Sequence, residues 1–372
     1  MTASLRRAGV VTATVVVVLL TALRPATADN IRDEQWYLAA LGIAEAQKLG
    51  QGEGVVVGLA DTGVDVTHAE LAGAVLPGKG FGEGNDSEGK IDWIGHGTAM
   101  AGLIAGRGLP GGGGVLGVAP KSMILPLQTL RSEDGHGVPA FLAAGIDWAV
   151  DHGARVICIA GGTGEDATVR ESVERAMRSD VVIVAAAGNT PDQTAVAFPA
   201  SLPGVLAVGG TDRGGNHASI SATGPQLVIA APAVDVVSTK PSGKYAVSSG
   251  TSDAAALVSG VVALVRAKYP SLSGPEVVHR ITATATDKGR PGRDDEYGFG
   301  VVNPLAALTA DLPPPQPSSS ASAGAPPVPA SASAEGGGTG GKPVKAAVVA
   351  AGGVALVLLA GLVLWRAARV RR

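Results

Sequence analysis

Five short apolar runs punctuate the middle of the chain, at residues 55–60, 123–127, 156–160, 181–187 and 205–209, each bounded by Gly, Pro or Asp. Runs of this length with every alternate position apolar on both faces predict buried parallel strands. Between and after them the spacing changes. Over residues 138–150, Phe141, Leu142, Gly145, Ile146 and Ala149 fall on one helical face, and residues 251–269 form a second helical stretch ended by Pro270. Strand and helix in alternation predict an α/β fold, a mostly parallel sheet with helices on both faces.

Apolar patterning of another kind marks the two ends. Arg6 and Arg7 precede the apolar residues 8–23, and Ala26-Thr27-Ala28 follows, the pattern of a secretory signal peptide over residues 1–28 with cleavage after Ala28. An uncleaved signal anchor is the alternative. At the other end, residues 346–365 carry no charge for 20 positions, enough at a 1.5 Å rise to cross a ~30 Å hydrocarbon core. Arg366, Arg369, Arg371 and Arg372 follow, so the positive-inside rule predicts a single transmembrane helix, a cytoplasmic tail at 366–372 and an extracytoplasmic domain at the cell membrane. The trailing arginines argue against a removable lipid-anchor signal. Residues 311–345 are rich in Pro, Ser, Ala and Gly and predict an unstructured stalk. Such a stalk spans about 30 Å as a flexible coil and about 100 Å as a polyproline-like chain. This leaves residues 29–54 as an N-terminal extension and 55–310 as one globular domain.

Composition adds two constraints. Of 372 residues 46% are apolar but only 3% aromatic, so the core is built from Ala, Val, Leu and Ile, and 54 glycines imply many tight turns. A net charge of −3, with basic residues scattered except at the termini, gives no case for a nucleic-acid partner. The lone cysteine, Cys158, lies inside a predicted strand, so no intrachain disulfide forms and the thiol reads as a small buried hydrophobe.

Candidate chemistry sits where apolar runs meet turns or helix starts: Asp61-Thr62-Gly63, His96-Gly97-Thr98 and Gly250-Thr251-Ser252, in that order. The combination reads as a triad in which Asp61 fixes the imidazole tautomer, His96 takes the serine proton and Ser252 attacks an acyl carbon. The order Asp, His, Ser resembles the subtilases, subtilisin-type serine proteases, over roughly residues 35–308. The resemblance extends to Asn189, after the run 181–187, which matches the oxyanion donor beside the Ser252 backbone N–H. It further implies a protein or peptide substrate held by three segments. Leu130, Gly135 and Gly137 match an edge strand that pairs with an extended peptide, while Ala160, Gly161 and Gly162 in the segment 159–162, together with Ala187 and Gly188 in the segment 186–188, match the pocket for the residue before the scissile bond, which small side chains at Ala160 and Ala186 make open and apolar.

The entry segment Ile31-Arg32-Asp33-Glu34-Gln35-Trp36-Tyr37, the proline-rich stalk and the C-terminal span together resemble the mycosins, type VII secretion-associated serine proteases of actinobacteria. That resemblance implies a protease at the outer face of the cytoplasmic membrane with a type VII secretion complex as partner. The alternative is a mainly structural component whose proteolysis is weak or dispensable.

Several residues carry competing readings. Asp253, directly after the nucleophile, departs from the apolar residue usual in subtilases. Either it faces solvent as a first-turn helix acid, or its charge opposes the oxyanion and selects a basic group past the scissile bond. His68 reads as a structural hydrogen-bonding residue, and His136, His152, His217 and His279 as surface or loop residues. No cofactor is expected from the motifs. The resemblance implies calcium as a candidate ligand at residues 83–92 or at Asp294, Asp295 and Glu296, but neither stretch is an ordered calcium loop and both read as solvated. Residues 29–54 are expected to remain as a permanent extension that packs Trp36 and Leu38 on the domain, a removable propeptide being the alternative.

Overall fold

The computed structural model describes residues 28–82, 88–131 and 137–312. The expected signal, stalk, span and tail lie outside these, except for Ala28 and residues 311–312, as do Gly135 and His136. Among the described residues no helix is long and apolar enough to cross a membrane.

Strands β1 (Val56–Asp61), β2 (Lys79–Gly80), β3 (Met123–Gln128), β4 (Val156–Ile159), β5 (Val182–Ala186), β6 (Leu206–Thr211) and β7 (Ile229–Pro232) form one sheet in the spatial order β2-β3-β1-β4-β5-β6-β7. Every pairing in it is parallel. The expected runs thus are strands, and their unbroken apolarity has a direct cause. Val57, Leu59, Val156, Cys158, Val182 and Val184 enter the core on one face, while Ala60, Ile157, Ile159, Ile183 and Ala185 enter the core on the other. Cys158 is a fully buried free thiol, pushed up to about 12 by burial, which leaves it unreactive.

Three short helices, α1 (Ala28–Glu34), α2 (Trp36–Ala40) and α3 (Ile43–Gln47), precede the sheet. They pack on the domain through Tyr37, which is fully buried and donates its hydroxyl to Val237 O at 2.7 Å, and through Trp36 Nε1, which donates to Asp235 O at 3.0 Å. Leu38 packs partly buried against the same core.

The first face of the sheet carries α4 (His96–Ala105), and the second carries α5 (Pro139–Asp151) and α6 (Ala167–Arg178). A hairpin of β8 (Val236–Lys240) and β9 (Lys244–Ser248) leads into α7 (Thr251–Lys268), which lies on the first face with every residue from Thr251 to Arg266 buried. The expected helices at 138–150 and 251–269 are α5 and α7. The expected edge strand at 130–137 is not a strand in its described part. Thr129 N and Leu130 N both donate to Asp61 O, which turns the chain away from β3. A segment that gains its ladder only from an added peptide has no partner to form a strand with in the free chain.

Topology places the site. From β1 the chain moves to β2 and β3 on one side, then crosses to β4 on the other. Crevices at such reversals, beyond the carboxyl ends of strands, are where open α/β sheets bind ligands. Asp61 is the last residue of β1.

Candidate active site

Asp61 is fully buried, and His96 Nδ1 stands 2.8 Å from its Oδ1 and 3.0 Å from its Oδ2. An ionised carboxylate only accepts, so Nδ1 carries a proton in either charge state and Nε2 is the nitrogen that becomes the base once the imidazole is neutral. Burial pushes the imidazole down, but the Asp61 carboxylate, with Asp253 and Asp92 behind it, outweighs burial and holds His96 up at about 9.

Asp92, which the sequence reading left inside a solvated acidic stretch, braces this pair. It is buried, with Oδ1 accepting from Thr62 Oγ1, Ile94 N and Gly95 N, and Oδ2 accepting from Thr98 N and Thr98 Oγ1. Thr62 Oγ1 in turn accepts from Gly97 N at 2.9 Å. One carboxylate therefore ties the end of β1 to the first turn of α4, and its oxygens are engaged rather than open to a cation. Asp294 is similar, accepting from Arg290 N, Glu296 N and Tyr297 N. Among the described residues no group of three or more His, Cys, Asp or Glu could hold a metal ion.

Ser252 lies in the first turn of α7, at the positive end of a buried helix. Asn189, just beyond β5, accepts through Oδ1 from Thr251 N at 2.9 Å and Thr251 Oγ1 at 3.0 Å. Its amide Nδ2 is thereby left to donate elsewhere. Gly250 shows where: a Cβ built there would stand 3.0 Å from Ser252 Oγ and 3.4 Å from Asn189 Nδ2. Glycine keeps open the space that hydroxyl and amide share. His96, Asn189 and Ser252 all line one cavity of about 290 Å³. No hydrogen bond joins Ser252 Oγ to His96 among the described residues, a contact that tightens in many proteases only when substrate is bound. Asn189→Ala is expected to lower kcat by about 10²–10³-fold with KM little changed, because the lost donor serves the transition state. Steady-state kinetics on one peptide checks this, and an equal rise in KM would contradict it.

A second cavity, of about 90 Å³, is lined by Ala160, Gly161, Gly162, Ala186, Gly188, Asn189 and Ser252. Of the expected pocket residues, Ala187 does not line it. Strand alternation turns its side chain into the core of the opposite face, whereas its neighbour Ala186, expected in the same segment, does line the cavity. Leu130 and Gly137 do not line it either. Leu130 is buried, and Gly137 N donates to Gly162 O at 2.8 Å. Gln193, which no motif pointed to, lines the cavity over Gly188, whose φ of 107° suits glycine and where a Cβ would collide with Gln193 Oε1.

Asp253 overturns the solvent-facing expectation. It is 1% exposed, accepts from Ser248 Oγ at 2.7 Å through Oδ1, and leaves Oδ2 buried without a partner. Burial pushes its carboxyl up to about 7. Among the described residues the remaining histidines line neither cavity. His68 is buried beside Glu70, while His152 stacks on Trp148 at 3.7 Å, His279 is exposed on a helix, and His217 is half-buried under Tyr297.

A buried acid, an imidazole with one nitrogen free, and a hydroxyl at a helix start facing an amide donor are what acyl transfer by a serine requires. Residues 52–300 match the Subtilase family, and the chain belongs to that family. It is a serine endopeptidase of the subtilisin type. Subtilisin DY of Bacillus licheniformis is 38% identical over 261 residues, covering 69% of this chain and 92% of the relative. Among solved structures, the serine protease MycP1, described as an essential component of the type VII (ESX-1) secretion system, is 32% identical with a TM-score of 0.67, over 77% of this chain and 90% of that one. MycP3 from the type VII (ESX-3) system is 33% identical with a TM-score of 0.63, over 74% and 88%. The structural neighbours are thus mycosins.

Proposed function

We propose that the protein is a membrane-anchored, extracytoplasmic endopeptidase that works beside a type VII secretion complex. Asp61 acts as orienter, His96 as base, Ser252 as nucleophile, and Asn189 and the Ser252 N–H as oxyanion donors. The observation that carries the chemistry is the meeting of His96, Asn189 and Ser252 on one cavity, with Asp61 on the far nitrogen of the imidazole. Anchoring is supported by the signal-like N-terminus and the charge-free residues 346–365 with their trailing arginines. Partnership with a secretion complex is supported by the mycosin neighbours.

In this reading His96 Nε2 takes the Ser252 proton as Oγ bonds to the scissile carbonyl carbon, and the oxyanion receives hydrogen bonds from Asn189 Nδ2 and the Ser252 N–H. His96 then hands that proton to the departing amine as the C–N bond breaks, leaving an acyl-enzyme that water hydrolyses by the same steps. A fluorophosphonate probe is expected to label the full-length protein in detergent and not its Ser252→Ala variant. Absence of label on the folded native protein would refute the assignment of Ser252.

One observation favours the alternative, a mainly structural component. Asp253 keeps an unpartnered carboxylate oxygen close to the reacting hydroxyl. Complementation separates the two readings: a secretion defect rescued by Ser252→Ala supports the structural role, and failure of rescue supports proteolysis.

A further inference from the structure

Two cavities meet at Ser252 and Asn189, and chemistry tells them apart. The larger contains His96 and the smaller does not. The imidazole must pass its proton to the departing amine, so the part of the substrate after the scissile bond lies on the His96 side. The larger cavity is the leaving-group side. Its walls include Ile94, Ala99, Met100 and Val247, and its acidic member is Asp253.

Asp253 is built into this cavity rather than displayed on it. Ser248 Oγ holds Oδ1 at 2.7 Å, and Oδ2 is buried with no partner. A buried carboxylate left half-satisfied is costly, and a cationic ligand entering the cavity is a partner that would complete it. Oδ2 is also 3.8 Å from the point, in front of Gly250, that lies 3.0 Å from Ser252 Oγ and 3.4 Å from Asn189 Nδ2. Negative charge there opposes an oxyanion forming beside Asn189, and a cation brought in by the substrate offsets it.

We propose that Asp253 makes the leaving-group cavity a subsite for lysine or arginine, so that peptides with a basic residue directly after the scissile bond are cleaved in preference to neutral ones. The proposal rests on the acyl-transfer reading of Ser252. The apolar walls accommodate the aliphatic stem and the carboxylate receives the cationic head.

The other charged and titratable groups around Asp253 bear on when it is ionised. His96, when protonated, favours its charge, while Asp61 disfavours it, and the buried Tyr37 phenol also feels it. Lys240 lines the cavity from β8, opposite Lys244 of β9, and both are exposed. Its methylene stem lies over Gly95. Burial lifts the Asp253 carboxyl to about 7, so its negative form, and with it the preference for a basic residue, grows as pH rises through that value.

The test is kcat/KM of the full-length protein in detergent on internally quenched peptides that differ only in the residue after the scissile bond. At pH 8 lysine or arginine is expected to exceed norleucine by at least about 10-fold. That ratio should fall towards one in both Asp253→Asn and Asp253→Met, persist in Asp253→Glu, and shrink in the native protein below pH 7. Asp253→Asn should also raise the rate on the norleucine peptide, which a merely structural aspartate would not do. An equal ratio in the native protein and in both neutral variants, each still labelled by the fluorophosphonate, overturns the proposal alone. A native protein that takes no label and cleaves no peptide overturns the acyl-transfer reading and the proposal with it.

Discussion

Asp61→Asn is expected to lower kcat by about 10⁴-fold while the protein stays folded. Asp61 closes β1 and receives the Nδ1 proton of His96 at 2.8 Å. An amide in its place offers a donor as well as an acceptor, so Nδ1 can be driven to accept and Nε2 then carries the proton. In that tautomer His96 cannot take the Ser252 proton. The same change moves the pH profile. Burial lowers His96, yet the neighbouring carboxylates, Asp61 foremost, hold it at about 9, so the neutral base accumulates only as pH rises towards that value. Native kcat/KM should therefore climb through neutral pH to an alkaline plateau, and Asp61→Asn should shift the acidic limb to lower pH while depressing the plateau. Profiles of both proteins on one peptide decide the matter. A limb that stays in place would mean that Asp61 does not set the protonation of His96.

Glu70→Gln is expected to cost about 3–5 kcal/mol of stability, the range for removing one partner of a buried ion pair. His68 Nδ1 stands 2.6 Å from Glu70 Oε2, both side chains are 1% exposed, and Tyr245 donates its hydroxyl to Glu70 Oε1. The other His68 nitrogen meets Lys244 O at 3.0 Å, so the cluster pins the β8–β9 hairpin, whose far strand runs to Ser248 beside the nucleophile. Burial alone would raise Glu70, but hydrogen bonds from His68 and Tyr245 bring it down to about 2 from its ordinary 4.5. Its contribution is present above 4.5 and lost as pH falls towards 2. Burial would lower His68, yet the Glu70 carboxylate holds it above its ordinary 6.5, so its contribution is complete below 6.5 and lost as pH rises past the raised value. The pair contributes most between about pH 4.5 and 6.5. Urea unfolding of the native protein and of Glu70→Gln across that window measures the loss. A difference under 1 kcal/mol at pH 6 would show the pair to be incidental.

How much of this was legible in the chain varied by element. The strands over 55–60, 156–160 and 181–187 could be read directly because both faces of the sheet are covered, which leaves no polar alternation to confuse them. Strand β7 and the hairpin β8–β9 were not anticipated. Strand β7 is only four residues long and ends in Pro232, while the hairpin strands, such as Val236-Val237-Ser238-Thr239-Lys240, mix polar and apolar positions, and only the contact with α4 explains why Ser238 and Thr239 are buried. Helix α6 was not anticipated either, although its buried positions Val169, Ser172, Val173 and Ala176 recur at helical spacing and Asp166 caps it.

Motif order pointed to Asp61, His96 and Ser252, and the subtilase resemblance added Asn189; each lies where a strand ends or a helix begins, and such junctions are written in local sequence. Where those side chains meet was a matter of topology: the reversal at β1 and the parallel register that brings strand ends to one rim. The bracing by Asp92, the pairing of His68 with Glu70, and the turning of Ala187 away from the pocket depended on tertiary contacts between distant segments. Asp253 shows the division most plainly. The sequence determined that a carboxylate follows the nucleophile and left its direction open. Packing of α7 against the sheet buried it, because a helix covered on all sides has no solvent face to which its first-turn acid can turn.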